Sequence, residues 1–180
     1  RIVPIEERAH TREDMRALRD AMCGVAEAPL CPEERAHAVF HIVALSDGGL
    51  TDALARHVLR ALDDIPLLFL DLMNDAEFAS AVPPAVGERI ARLAVENDTE
   101  VGALATMCAA RLDTPKARVF ERAVERADGS PAFAAAAVAF AASAGPADAP
   151  DALLTRLAEK LFAAPAGAAT ASASALFRKL

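Results

Sequence analysis

Alanine supplies 45 of the 180 residues, and that excess restricts the fold more than any other feature of the chain. Alanine loses no side-chain entropy in a helix, whereas strands favour branched and aromatic side chains. The aromatic content agrees: it is 4%, with no Trp and no Tyr. Apolar residues make up 54%, too many for a disordered chain. An all-α protein follows. A length of 180 residues suffices for one helical domain over 1–180 with its own core. The chain opens on Arg1 rather than Met, so a fragment of a longer protein is the alternative.

Helix start signals recur at short intervals. Thr11 with Asp14 has the form of a capping box. Cys31-Pro32, Thr114-Pro115 and Ser130-Pro131 each place Pro where a helix begins, since its missing N–H costs nothing there. Thr51, Asp98 and Asp148 are further candidate caps, and Asp47-Gly48-Gly49 and Asp128-Gly129 suit left-handed stops. Between these marks the apolar period is helical: Leu54, Val58 and Leu62; Val86, Ile90 and Leu93; Val101, Leu104, Ala105, Cys108 and Leu112; Leu153, Leu154, Leu157, Ala158, Leu161 and Phe162.

Nine or ten short helices are expected, beginning near residues 11, 32, 51, 66, 84, 99, 115, 131 and 150, with a last one from about 170. Two helices with their turns take roughly 31 to 40 residues. In rhythm this resembles the stacked helical hairpins of HEAT-like α-solenoids and tetratricopeptide arrays, although no residue-level consensus of either repeats. The helix from Pro131 is apolar all round, which predicts burial on every side and favours the other arrangement, a compact multi-helix bundle around a central Ala-rich helix.

Charge is unevenly placed. The formal net charge is −7, and the stretch from Ala61 to Glu88 holds six acids and no Lys or Arg. The richest apolar run, Leu67 to Met73, lies in the same stretch. Asp63 and Asp64 suit a helix N-terminus there. An apolar patch rimmed by Asp63, Asp64, Asp71, Asp75 and Glu77 would dock a basic protein partner, with electrostatics speeding the encounter. A net acidic chain almost without stacking aromatics argues against nucleic acid. Arginines on the helices near residues 8–19 and 118–126 alternate with acids and read as solvated, ion-paired faces. The uncharged stretches 129–147 and 161–177 are dominated by Ala and broken by Pro, so no membrane span is expected.

Catalytic motifs are few. His37 and His41 are four apart, a spacing that puts two imidazoles on one metal, but no Glu follows His37 to act as general base. Cys31 precedes Pro32 at a helix N-terminus, where the dipole lowers a thiol's pKa, which makes it the best nucleophile candidate. Cys108 lies on an apolar face and reads as core. Three cysteines without CxxC spacing indicate no disulfide framework. No Gly-rich phosphate loop or other cofactor motif is present.

The expected function is therefore a non-catalytic interaction domain. It would be an acidic adaptor or immunity-type inhibitor that meets a basic protein. A bacterial source is expected from 16 Arg against 3 Lys and the high Ala content, and the cytoplasm from three cysteines without a disulfide framework. Two alternatives stand beside it: a small helical enzyme or ligand- or metal-binding domain using Cys31 or His37 with His41, and an interaction module of a larger secreted effector.

Overall fold

The structure, a computed structural model, describes Gly24 and residues 31–44, 52–75, 82–112, 116–145 and 147–163. Among these residues it is all-helical, without a strand: α1 (Pro32–Ala44), α2 (Asp52–Asp64), α3 (Pro66–Asp75), α4 (Pro84–Glu96), α5 (Glu100–Arg111), α6 (Ala117–Arg126), α7 (Pro131–Ser143) and α8 (Asp151–Ala163). Each begins within two residues of a start expected from sequence. The helices expected near residue 11 and from about 170 lie outside the described residues.

Proline sets several of these starts. Pro32, Pro66, Pro84 and Pro131 are first residues of their helices, where the missing N–H breaks no intrahelical bond. Ser130 caps α7, its Oγ accepting the Phe133 N–H at 3.5 Å. Only Ile65 separates α2 from α3, and backbone bonds run through the junction from Ile65 N to Ala61 O and from Phe69 N to Ile65 O. Three of the start and stop expectations fail. Lys116 is the N-cap of α6, so Pro115 is not its first residue. Thr99, not Asp98, is the N-cap of α5. Ala127, which ends α6, stays right-handed at φ −63°, and the turn through Gly129 needs no left-handed residue.

The helices touch in a simple order. Each packs on its chain neighbour, α3 and α4 excepted, and on the helix two further along. Among the described helices, no pair more than two apart shares a substantial contact. Thus α3, α5 and α7 are successive neighbours, as are α2, α4, α6 and α8. Phe69, Leu70, Ile90, Phe120, Phe133, Phe140 and Leu157 fill the core between them. The rings of Phe120 and Phe140 stack at 5.1 Å and tie α6 to α7.

The alanine helix behaves differently from expectation. α7 buries Phe133, Ala134, Ala136, Ala137, Val138 and Phe140, but Ala132, Ala135 and Ala142 face outward. Alanine exposes so little apolar area that leaving three of them wet costs little. The more deeply placed helix is α5, which packs on α3, α4, α6 and α7. Its closest approach is at Gly102, where a Cβ would overlap the Asn97 carbonyl oxygen and stand 3.0 Å from Phe133 Cζ. Thr106, the buried polar residue among those described, donates its hydroxyl to the Gly102 carbonyl at 2.8 Å.

Candidate functional site

Asp63 and Asp64 are the last two residues of α2, the dipole end that disfavours acids. Arginines from three helices offset this. Arg89 of α4 donates Nε and Nη2 to Asp63 Oδ1 at 2.9 and 2.7 Å. Arg35 of α1 and Arg60 of α2 stand 3.3 and 3.5 Å from Asp64 Oδ2. The sequence segment without cations is therefore supplied with them by the fold. These two acids link α1, α2 and α4.

Asp71 is placed otherwise. It is exposed on α3, one turn beyond Leu67, and has no hydrogen-bond or ion-pair partner among the described residues. Leu67 is 45% exposed, and it and Phe162 of α8 are the large apolar side chains left exposed among the described residues. Asn74, on the next turn, donates Nδ2–H to the Leu104 carbonyl of α5 at 3.2 Å. Arg111, at the end of α5, donates to the Asn74 carbonyl and Oδ1 at 2.8 and 3.0 Å. Asp75 is the last residue of α3, its side chain outside the description, and Glu77 lies outside the described residues altogether.

The candidate chemistry also has a geometry. Cys31 is exposed and caps α1: Glu34 Oε2 accepts the Cys31 N–H at 3.2 Å, the reciprocal half of a capping box. Its thiol is not lowered in pKa but raised. The Glu34 N–H draws it down, and desolvation, hydrogen bonds to the Glu33 and Glu34 carboxylates and the Glu34 charge together outweigh that pull. The local acids thus oppose the thiolate that the helix dipole favours. His37 is exposed on the same helix, and the side chain of His41 lies outside the description. Among the described residues no three His, Cys, Asp or Glu side chains gather as metal ligands. Cys108 is core as expected. Its Sγ–H points at the Leu70 carbonyl, 3.6 Å away, and burial pushes its pKa up to about 12.

Sequence reasoning missed what Arg126 does. It shares the arginine row of α6 with Arg118 and Arg122, yet its side chain is only 10% exposed. Nη1 donates to the Ala94 and Asn97 carbonyls at 3.0 and 2.8 Å, and Nη2 to Val95 O at 2.8 Å. The guanidinium lies 4.9 Å over the Phe133 ring and pairs with Asp98. It therefore closes the C-terminal end of α4, whose last carbonyls have no intrahelical donor. Desolvation is the main reason its pKa is lowered, with the Arg122 charge adding to it. The signal was present: Arg126 falls seven residues after Val119 and three after Ala123, inside the apolar stripe. Lys160 of α8 repeats the device on α6, donating to the Glu125 carbonyl at 3.1 Å and to Asp128 at 2.8 Å, which holds the Asp128 carboxyl below its usual range.

A surface groove of about 400 Å³ is lined by Val95 of α4 and Arg118, Glu121, Arg122 and Glu125 of α6. Arg122 is engaged there with Glu125 at 2.8 Å and Asp98 at 3.6 Å. The groove is balanced in charge. No described helix is long and apolar enough to cross a membrane.

In comparisons with known proteins, no family model, no curated protein and no solved structure matches the chain.

Proposed function

We propose that the chain is a non-catalytic protein–protein interaction domain of stacked helical hairpins, an acidic adaptor or immunity-type inhibitor that captures a basic partner in the bacterial cytoplasm. The observation that carries this is the packing order, in which each helix rests on the next or the next but one. Stacking of that kind, typical of HEAT-like solenoids, extends a surface with every hairpin instead of closing around a cavity. The acids give that surface a sign. Asp71 is exposed and unpaired on the segment that carries six of the seven net negative charges.

The test is capture from extract of the source organism by the tagged chain, followed by reconstitution with the purified candidate. A basic protein should be retained in a fixed ratio, released by salt, and lost when Asp71, Asp75 and Glu77 are changed together to Lys. Retention indifferent to that charge reversal would overturn the reading.

A further inference from the structure

We infer that α2–α3, α4–α5 and α6–α7 are successive copies of one two-helix unit, with α8 equivalent to the first helix of each. In this arrangement an arginine at one repeated position ties each copy to an acid closing the first helix of the copy before it. At the α2–α4 junction the tie reaches solvent, so salt loosens the stack there. The coupling needs only the packing order and holds whatever partner the surface takes.

The helices α2, α4, α6 and α8 begin at residues 52, 84, 117 and 151, in steps of 32, 33 and 34. Moved by the first step, Ala55, Val58, Ala61 and Leu62 of α2 fall on Gly87, Ile90, Leu93 and Ala94 of α4, all buried. The second step takes Gly87, Ile90 and Ala94 to Phe120, Ala123 and Ala127, again buried. The third takes Ala123 and Ala127 to the buried Leu157 and Leu161. One amphipathic helix can always be slid onto another to within a turn, so the decisive fact is that the second helix accepts nearly the same step. A step of 33 carries Phe69, Leu70 and Met73 of α3 onto Gly102, Ala103 and Thr106 of α5, all buried. A step of 31 carries these onto Phe133, Ala134 and Ala137 of α7, buried as well. Leu93 is a departure. Its counterparts are Arg126 and Lys160, the two cations that donate to the carbonyls ending α4 and α6.

Polar residues keep these steps too. Glu88-Arg89 of α4 falls on Glu121-Arg122 of α6, and Arg122 falls on Arg156 of α8; α2 has His57 in that place. The arginine also keeps its task. Arg89 donates to Asp63, in the last turn of α2, at 2.7 Å. Arg122 stands 3.6 Å from Asp98, two residues past the end of α4. Arg156 lies near Glu125, in the last turn of α6, where its charge adds to the Arg122 hydrogen bond that chiefly lowers that carboxyl. Each arginine thus meets an acid at the negative end of the preceding helix in its layer. Units that touch only their neighbours are coupled through such junctions. Between α4 and α6 the Arg126 clamp on neutral carbonyls reinforces the tie, and between α6 and α8 Lys160 on the Glu125 carbonyl does the same. Arg89 binds a carboxylate and no carbonyl among the described residues, and both members of its pair are partly open to water. In addition, α3 and α4 share no substantial contact, whereas α5 and α6 do. Screening therefore acts most on the α2–α4 junction.

Amide hydrogen exchange of the full chain, read by peptide mass spectrometry, tests the repeat and its ties. α2 and α3 should open together, as one unit distinct from α4–α5 and from α6–α7. In Arg89→Gln their amides should exchange about three to five times faster, with α6 and α7 unchanged. About 1 M NaCl should raise the wild type to the same level and add nothing to Arg89→Gln. Arg92→Gln, exposed on the same helix with no ion-pair partner among the described residues, should exchange as the wild type does. The salt response is read on the unaltered chain, so a misfolded variant leaves the test intact. A uniform rise across all helices, α3 opening with α4 instead of α2, no change in Arg89→Gln, or a salt response that survives in that variant would overturn the inference.

Discussion

Replacing Arg126 with Met would test whether a single side chain holds the corner between α4 and α5. Methionine keeps an unbranched apolar stem and removes every donor. The Ala94, Val95 and Asn97 carbonyls then lose the bonds of 2.8 to 3.0 Å that close α4. A hydrogen bond from a charged donor contributes about 1.5–3 kcal/mol, but three on one guanidinium are not additive, and water would reach some of the carbonyls. The pair with Asp98 contributes little, because Asp98 is 73% exposed; about 1 kcal/mol or less is its share. A loss of about 3–4 kcal/mol is therefore expected, a large part of the stability of an ordinary domain.

Urea unfolding monitored by circular dichroism measures it, with Arg126→Lys and Asp98→Asn beside it. Lysine offers a point charge where three carbonyls are arranged for a planar fork, so it should recover only part of the loss. Asp98→Asn should cost the least, and salt should hardly change the order, since the acceptors are neutral. An Arg126→Met protein within about 1 kcal/mol of wild type, or no weaker than Asp98→Asn, would refute the clamp.

The same corner predicts that Gly102→Ala lowers stability by about 1–3 kcal/mol, because the Asn97 carbonyl and Phe133 ring must both retreat from the new methyl; thermal unfolding should show a drop of about 2–4 °C per kcal/mol. Cys108 predicts an alkaline limit. With a folded pKa of about 12 against an ordinary value of 9.0, the unfolded chain releases the proton first, so stability is full below pH 9.0 and falls between there and about 12. Cys108→Ala should flatten that fall in urea unfolding measured across the range, and an equally steep decline in the variant would exclude the thiol as its source. Cys31, raised by its acidic neighbours, should react with an alkylating agent at neutral pH no faster than a free cysteine peptide; rapid labelling mapped to Cys31 would restore it as a nucleophile.

Helix type and boundaries were legible because their signals are local. Proline at a first position and apolar residues every three or four depend on nothing distant: α1 and α7 begin on the prolines expected to start them, and α3 and α4 begin at the expected residues 66 and 84. Cys108 was legible for the same reason, as a member of an apolar stripe. Charge was less so, because pairing depends on packing. Asp63 and Asp64 read as part of an unneutralised patch, and apart from Arg60, one turn away, the arginines that reach them are Arg89, 26 positions on from Asp63, and Arg35, 29 positions back from Asp64. Arg126 misled in the opposite sense. Its row on α6 alternates with acids like a solvated face, and only its coincidence with the Val119, Ala123 and Ala127 stripe marks it as interior. Gly102 carried no signal at all, since its neighbours at the point of closest approach are Asn97 and Phe133, on other segments.

The acids of the Ala61–Glu88 segment divide by geometry into two groups, and that division decides how function can be probed. Asp63 and Asp64 connect α2 to α1 and α4 through arginines, so reversing their charge would set like charges against Arg35, Arg60 and Arg89 and loosen three helices. A loss of binding after such a change would report on packing as much as on the partner. Among the described residues Asp71 pairs with nothing charged, and it sits one turn from an exposed leucine, so its reversal changes the surface and leaves the core contacts in place. An exposed acid without a partner, such as Asp71, is informative for recognition, and Asp63 and Asp64 with their partners are informative for how α1, α2 and α4 are joined.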